Sequence, residues 1–443
     1  MRRLSTLRAL CLTIVICGVA SRGSAQDTTF KQGVQLTLRY APGTRPGIVI
    51  LPVPGEHGDS VRAILQRDLD YGDRVTVIPT DLPTAAAAAA NGGPTINYPL
   101  FAKLGAAGIV QITWSSAAVA RVAVHNVAQQ KIERTQDFPL YGDPRGEGGA
   151  PEWRLSLHAL ADELEFWITG VRGIAATRIV YSSGGRIWQI DSDGANAVPI
   201  SGSMMAMSPS WHPRGSHVAF SAMGGNGNWQ IILRETGGAM RTLSSTPGGQ
   251  NITPVFSPDG QTLVYSHARE AGNDLYAVNP FAAEAVRKVT VGRGFDNMSP
   301  SFSPDGRQLA FTTNRTGRPE VYISDSDGTN AELLTSYSYS DQSYNSNPDW
   351  SPDGRAIAYQ SQVAGRFQLI TIGVRDRSPR RLTSDGINED PSWAPDSRHI
   401  VFTSNRTGIP QLFVLDTESG RTRQLTHSAA KVRTADWSLH LKR

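Results

Sequence analysis

Pro300-Ser-Phe302-Ser-Pro-Asp-Gly306 recurs along the 443-residue chain at a near-constant interval. Pro254-Val-Phe256-Ser-Pro-Asp-Gly260 precedes it; Pro348-Asp-Trp350-Ser-Pro-Asp-Gly354 and Pro391-Ser-Trp393-Ala-Pro-Asp-Ser397 follow. Pro209-Ser-Trp211-His-Pro-Arg-Gly215 is an earlier copy and Ala435-Asp-Trp437-Ser438 a degenerate last one, so the spacings from residue 209 onward are 45, 46, 48, 43 and 44. In each copy the aromatic residue sits on a short strand facing a neighbouring sheet. Ser-Pro-Asp-Gly is a turn in which Pro presets φ, Asp bonds its own backbone and Gly takes the left-handed position. An alternating second strand follows, such as Leu309-Ala-Phe311-Thr or Ile400-Val-Phe402-Thr, then a third such as Val321-Tyr-Ile323. A polar hairpin leads to a fourth, such as Arg381-Leu-Thr383. Four antiparallel strands in roughly 40–45 residues make a β-propeller blade.

The ends of the repeat fix the blade number. Ile179-Val-Tyr181-Ser and Ile187-Trp-Gln-Ile190 match second and third strands, yet no Pro-x-aromatic segment precedes them. Asp436-Trp437-Ser438 supplies the missing inner strand. Five complete blades and one shared by both ends give a six-bladed ring without open edges.

Residues 26–171 have another texture. Ile48–Val53, Val75–Ile78, Gly108–Ile112, Val119–His125 and Ile132–Phe138 read as strands. Val61, Ile64, Leu65 and Leu69 fall at helical spacing, with Asp59 or Ser60 to cap and Gly72 to stop, while Ala85–Ala90 reads as a loop. Pro151 opens a second helix whose stripe of Trp153, Leu157, Leu160, Leu164, Trp167 and Ile168 ends at Gly170. The fold expected is therefore α/β plus all-β: a small N-terminal α/β domain over 26–171 and the propeller over 172–443.

Residues 1–25 read as a secretory signal peptide, with Arg2, Arg3 and Arg8 before a short apolar run and small residues Gly23 and Ala25 near the cut. Removing it takes four Arg and no acid, so Lys plus Arg falls from 43 to 39 against 39 Asp plus Glu. The mature charge of zero gives no pull toward nucleic acid or anionic lipid. Both cysteines, Cys11 and Cys17, leave with the leader. The mature chain then holds no disulfide, thiolate metal site or cysteine nucleophile.

Leader, α/β domain and six-bladed ring together resemble the TolB family, the periplasmic component of the Tol–Pal cell-envelope system. Gly43-Thr-Arg-Pro-Gly-Ile-Val-Ile-Leu-Pro-Val53 is similar to the family's first strand. Leu160-Ala-Asp-Glu-Leu164, Trp167-Ile-Thr-Gly170 and Thr177-Arg-Ile-Val-Tyr181 are similar to its domain junction. The resemblance implies a non-enzymatic, monomeric periplasmic protein. Its propeller would bind a Pal-type peptidoglycan-associated lipoprotein, and its mature N-terminal segment a TolA-type inner-membrane protein. The work implied is envelope integrity and outer-membrane constriction at cell division. By the same resemblance the lipoprotein sits over the channel mouth, against Gln250, Asn251, Thr253, Asp296, Asn297, Met298, Tyr344, Asn345, Asn347, Asn388, Glu389 and Asp390. The family can carry His where Gln250 stands and Thr where Met298 stands. Gln26, Asp27, Thr28, Thr29, Phe30 and Lys31 form the second contact segment, whose order would change when the lipoprotein binds.

Enzyme signatures are absent from the sequence: no G-x-S-x-G elbow, H-E-x-x-H, P-loop or Rossmann fingerprint occurs. The nine His are scattered, which suits surface or loop positions. Asp191-Ser-Asp-Gly194 and Asp325-Ser-Asp-Gly328 read as hairpin turns, since no bidentate Glu follows at calcium-loop spacing. The Asp259, Asp305, Asp353 and Asp396 series is turn chemistry. No cofactor is expected. The residues between Pro and the aromatic (Ser210, Val255, Ser301, Asp349, Ser392 and Asp436) point toward the axis, where Asp349 and Asp436 could hold Ca2+. Two other functions stay open: an exported lactonase-like hydrolase using such a channel metal, and a generic peptide- or glycan-binding propeller. One aromatic at the same place in every blade (Trp211, Phe256, Phe302, Trp350, Trp393, Trp437) is a core repeat rather than a sugar belt.

Overall fold

Strand Val432–Trp437 lies antiparallel to Arg178–Ser183, pairing Val432 with Ser183 and Trp437 with Ile179, and so joins the end of the chain to the start of the ring. This is the computed structural model of the protein, and it describes residues 45–80, 96–145, 150–244, 249–270, 272–282, 285–291, 294–335 and 344–441. The segment expected to be a signal peptide, the contact residues Gln26–Lys31 and the Ala85–Ala90 run lie outside the described residues.

Among the described residues the ring is six four-stranded antiparallel sheets. The shared sheet is blade 1. Blades 2 to 6 begin at the inner strands Ala206–Trp211, Gln250–Phe256, Asn297–Phe302, Asn345–Trp350 and Asn388–Trp393. The turns behave as their composition requires. Ser257, Ser303 and Ser351 donate to Asp259, Asp305 and Asp353 at 2.6, 2.6 and 2.7 Å, and those carboxylates accept the amide two residues on. Gly260, Gly306 and Gly354 take φ of 76°, 71° and 75°. Trp211, Phe256, Trp350, Trp393 and Trp437 are buried between blades, and Phe302 packs partly buried in the same role.

Before the ring, strands β1 (Gly47–Ile50), β2 (Thr76–Val77), β3 (Ala106–Ser116), β4 (Val119–Asn126) and β5 (Lys131–Pro139) form one sheet in the order β2-β1-β3-β4-β5. β1 runs parallel to both neighbours, and β3-β4-β5 is an antiparallel meander. Helices α1 (Gly58–Tyr71) and α3 (Pro151–Thr169) cover one face through Val61, Leu65, Leu157 and Leu164. A short helix α2 (Tyr98–Lys103), absent from the expectation, sets Phe101 against Val49 and Ile109 on the other face. Its signal was Asn97, whose side chain caps Leu100 N, followed by a proline that an N-terminal helix position tolerates.

One expected boundary needs correction, while Gly72 does stand at the end of α1 as expected. α1 starts with His57 at the N-cap, so Asp59 lies in its first turn and complements the helix dipole instead of capping. Gly72 is right-handed at φ −69°; it is glycine because a Cβ there would stand 2.2 Å from Glu165 Oε2 on α3. Gly170 does end α3 in the left-handed conformation, at φ 78°.

The α/β layer meets the propeller at the end that carries the Ser-Pro-Asp-Gly turns, around blades 6 and 1, through buried charge. His399 of blade 6 holds Asp396 through Nδ1 at 2.8 Å and faces Asp73 through Nε2 at 3.4 Å. Arg398 binds Asp416 at 2.7 Å and the Asp73 carbonyl at 3.0 Å, while Arg421 reaches Asp70 at 2.6 Å. On α3, His158 Nδ1 sits 2.6 Å from Asp68, and its Nε2 lies 3.7 Å from Asp193 of blade 1. Arg67 and Arg154 also converge on Asp193. Ligand atoms of Asp68, His158 and Asp193, and of Asp73, His399 and Asp416, lie close enough together to hold a metal. Guanidinium groups already neutralise both clusters, so they are ion-pair networks.

These contacts revise the sequence reading of the histidines and of two turns. His125, His158, His267 and His399 are buried on strands and a helix, not at the surface or in loops; His212 is buried too, in the turn after the inner strand of blade 2. Asp193 and Asp396 serve their turns and also hold the two parts of the protein together.

Candidate functional site

At the end opposite the Ser-Pro-Asp-Gly turns, every inner strand is interrupted at the same place. Ser208, Thr253, Ser299, Asn347, Asp390 and Thr434, each immediately before the Pro (or Ala435) of the repeat, have φ between 46° and 53°. Non-glycine residues are uncommon in that region, and six in register form a strained ring. The ladder to the second strand slips at each of these points, as a β-bulge does.

Local side-chain bonds hold the bulges. Thr253 pairs with Ser266 at 2.7 Å and Thr434 with Ser182 at 2.8 Å. From blade to blade, Ser299 donates to Asn347 at 2.9 Å and Asn347 to Asp390 at 2.7 Å. Burial pushes the Asp390 carboxyl up despite the Asn347 hydrogen bond.

One step deeper lies a second set of joints. At four of the six positions the residue between Pro and the aromatic accepts the backbone N–H of the aromatic in the following blade. Ser301 takes Trp350 N at 3.0 Å, Asp349 takes Trp393 N at 2.7 Å, Ser392 takes Trp437 N at 3.1 Å and Asp436 takes Trp211 N at 2.5 Å. Val255 has no acceptor to offer. Asp349 and Asp436 therefore latch blades together. Burial raises the Asp349 carboxyl to about 6 and the Asp436 carboxyl to about 8, the latter with the Asp349 charge adding to the rise. The cation that these two residues could have held would have to share them with that structural duty.

All twelve residues expected to touch a partner gather at this mouth, but not in one role. Asn251, Asn297, Asn345 and Asn388 are buried. Each stands three residues before the repeat proline. Asn297 Nδ2 donates to the Asn273 carbonyl of the preceding blade, Asn345 to Glu320 at 2.7 Å and Asn388 to Gln368 at 3.0 Å. Asn251 pairs within its blade with His267 at 2.7 Å; burial lowers the pKa of that ring, which favours the neutral form. These four side chains face the blades rather than solvent, and their hydrogen bonds run within the scaffold. Gln250 accepts Trp229 N at 2.6 Å, and Met298 Sδ accepts Asn273 Nδ2 at 3.0 Å. Asp296 binds Asn314 at 2.9 Å and Glu389 pairs with Arg433 at 3.0 Å. Tyr344 stands exposed, edge-on to Phe367.

Sequence reasoning missed the apolar rim around these groups. Of the eleven large apolar side chains exposed on the propeller among the described residues, six (Met205, Met223, Val291, Phe295, Tyr344 and Ile409) lie at the mouth. Exposed apolar side chains gathered at one end, with polar groups between them, have the make-up of a protein-docking surface. Loop residues carry no periodicity, so only position in the blade could have revealed them.

The repeat signature matches the TolB beta propeller domain model over residues 167–370 and 336–443. The chain belongs to the TolB β-propeller family. It is 31% identical over 147 residues to the Tol-Pal system protein TolB of Gluconobacter oxydans, covering 31% of this chain and 32% of that protein. It is 29% identical over 156 residues to the protein of the same name from Alcanivorax borkumensis, covering 33% and 34%. The aligned part thus spans about a third of the length of these curated relatives. The crystal structure of TolB from Acinetobacter baumannii superposes with a TM-score of 0.76 at 22% identity, over 90% of this chain and 98% of that one. That likeness extends the shared fold to the α/β layer as well as the ring. Among the described residues no helix is long and apolar enough to cross a membrane.

Proposed function

We propose that this protein is a non-enzymatic periplasmic adaptor of a Tol–Pal system, and that its propeller mouth docks the periplasmic domain of a Pal-type outer-membrane lipoprotein. A TolA-type inner-membrane protein is the second partner, engaged by the segment beginning near Gln26. The adaptor then links the two membranes and supports envelope integrity and outer-membrane constriction at division. A leader over residues 1–25 fits export to that compartment, and the mature chain acts as a monomer without a cofactor. The observation that carries the reading is the mouth itself: an exposed apolar rim on a face whose deeper polar groups are paired within the blades. Such a face offers shape and apolar area to a folded partner. The names of the curated relatives point the same way.

Calorimetry with the soluble domain of the Pal-type lipoprotein from the same organism tests it. Saturable one-to-one binding by residues 26–443 is expected, and it should be lost in Tyr344→Asp/Ile409→Asp. Binding unaffected by that pair would remove the mouth as the site. Failure of the wild-type protein to bind would remove the adaptor role.

A further inference from the structure

The tetrapeptide Asn-Arg-Thr-Gly occurs twice, at Asn314–Gly317 and Asn405–Gly408, on the mouth-side hairpins of blades 4 and 6. Both copies build the same device. The asparagine staples its hairpin to the strand entry: Asn314 bonds Asp296, and Asn405 Oδ1 accepts Ile387 N at 2.8 Å. The arginine lies over two aromatic rings. Arg315 is 4.7 Å from the Tyr322 centroid and 5.6 Å from Phe311; Arg406 is 4.9 Å from Phe413 and 5.3 Å from Phe402. One edge of each guanidinium is then tied down. Arg315 Nη2 donates to Asn297 Oδ1 at 3.2 Å and Arg406 Nη2 to Asn388 Oδ1 at 3.0 Å, while Arg406 Nε reaches Ser404 at 3.0 Å. Two of the buried asparagines, Asn297 and Asn388, thus aim the two arginines.

We propose that Arg315 and Arg406 are preorganised receptors for carboxylate side chains on an acidic loop of the docked protein partner. The inference rests on the mouth being a protein-docking face. Stacking and the Nε–Nη2 edge bonds fix each planar group. They leave Nη1 and the second Nη2 hydrogen, the end of the fork that a carboxylate takes in a bidentate pair. Neither arginine forms an ion pair among the described residues, and Asp385 acts on Arg406 only at a distance. A guanidinium fixed this way loses little side-chain freedom on binding, so more of the contact energy reaches the complex. Placement among apolar rim residues favours a protein loop over a polyanion, which would ask for a continuous basic track.

The test uses mature protein carrying 15N-labelled arginine, titrated with acetyl-tetraglutamate amide and, separately, inorganic phosphate. The peptide is expected to shift the Arg315 and Arg406 side-chain signals saturably, and more than phosphate does. Arg315→Gln and Arg406→Gln should remove their own signals, circular dichroism should show each variant still folded although the buried asparagine loses a donor, and lysine at either position should retain weaker binding. Toward the lipoprotein domain each glutamine should weaken binding about tenfold, the value of one charge-assisted hydrogen bond, and high salt should shrink the difference. Signals unmoved by the peptide, or moved more by phosphate, overturn the inference. The peptide arm decides this even if the lipoprotein domain does not bind the wild-type protein, a result that would instead refute the adaptor role.

Discussion

The Nε2 atom of His399 stands 3.4 Å from Oδ2 of Asp73, so one imidazole of blade 6 bridges its own turn carboxylate, Asp396, to a residue 326 positions earlier in the α/β layer. His158 makes the mirror connection, from α3 toward Asp193 of blade 1. Both rings have raised pKa values although burial opposes it, because neighbouring carboxylates favour the imidazolium.

That arrangement gives the junction a pH dependence of known sign. A histidine raised in the folded state contributes stability that is complete below its unfolded value of 6.5 and lost as pH climbs through the folded value. Asp162 and Glu165, raised by burial to about 7 and about 8, act in the same direction, since charging them costs stability as pH rises. Asp73, Asp193 and Asp396 are lowered and protect the junction until pH falls below the ordinary range near 3.8. Hydrogen exchange of α1 should therefore be slowest near pH 4, rise from there as Asp162 and Glu165 charge, and rise further above about pH 6.5 as the histidines lose their protons, relative to the blade cores. His399→Ala should flatten that rise. An α1 profile that tracks the blade cores at every pH would contradict it.

Asp436 should weaken the closed ring as it ionises. Its folded value of about 8 lies above the ordinary 3.8, so stability is expected to fall between those pH values by up to about 1.4 kcal/mol per pH unit. Asp436→Asn keeps an oxygen for Trp211 N–H and removes the charge. Thermal melts should show the variant gaining on the wild type as pH rises to 9; a parallel pair of curves would refute the latch.

Trp437 closes the ring, with its indole N–H on Thr177 at 2.8 Å and its side chain buried. Trp437→Ala is expected to cost about 3–5 kcal/mol in chemical denaturation, the range for emptying a large aromatic site. A loss under about 1 kcal/mol would mean that blade 1 does not depend on its C-terminal strand.

The mouth asparagines and their neighbours should separate cleanly in stability. Asn345→Ala leaves the buried Glu320 with one donor fewer and should cost about 1–3 kcal/mol. Tyr344→Ala, on an exposed side chain, should cost under about 1 kcal/mol. Equal losses would place Tyr344 in the scaffold rather than on the surface.

The ring was legible in the sequence because each blade repeats one solution: an aromatic between sheets, a Ser-Pro-Asp-Gly turn, and an apolar-rich second strand, which the fold buries along nearly its whole length rather than on one face. Trp437 betrayed the closure for the same reason. The α2 helix was hidden because six residues give too little period and Pro99 reads as a breaker. At the mouth, the position of the loops could be read but not the direction of each side chain. Asn297 and Asn388 look like loop polars in the sequence, yet they turn inward to the arginines and to the preceding blade. His158 and His399 each reach a carboxylate far away in sequence, Asp68 and Asp73, and no local pattern announces a partner 90 or 326 residues away.

The most direct test of the central claim is hydrogen-exchange footprinting of the mature protein with and without the soluble Pal-type lipoprotein domain. Protection confined to the mouth segments around residues 294–299, 344–347 and 405–410, with the Ser-Pro-Asp-Gly turns unchanged, is the predicted result. Protection on the turn-bearing end, with the mouth segments exchanging as before, would contradict it.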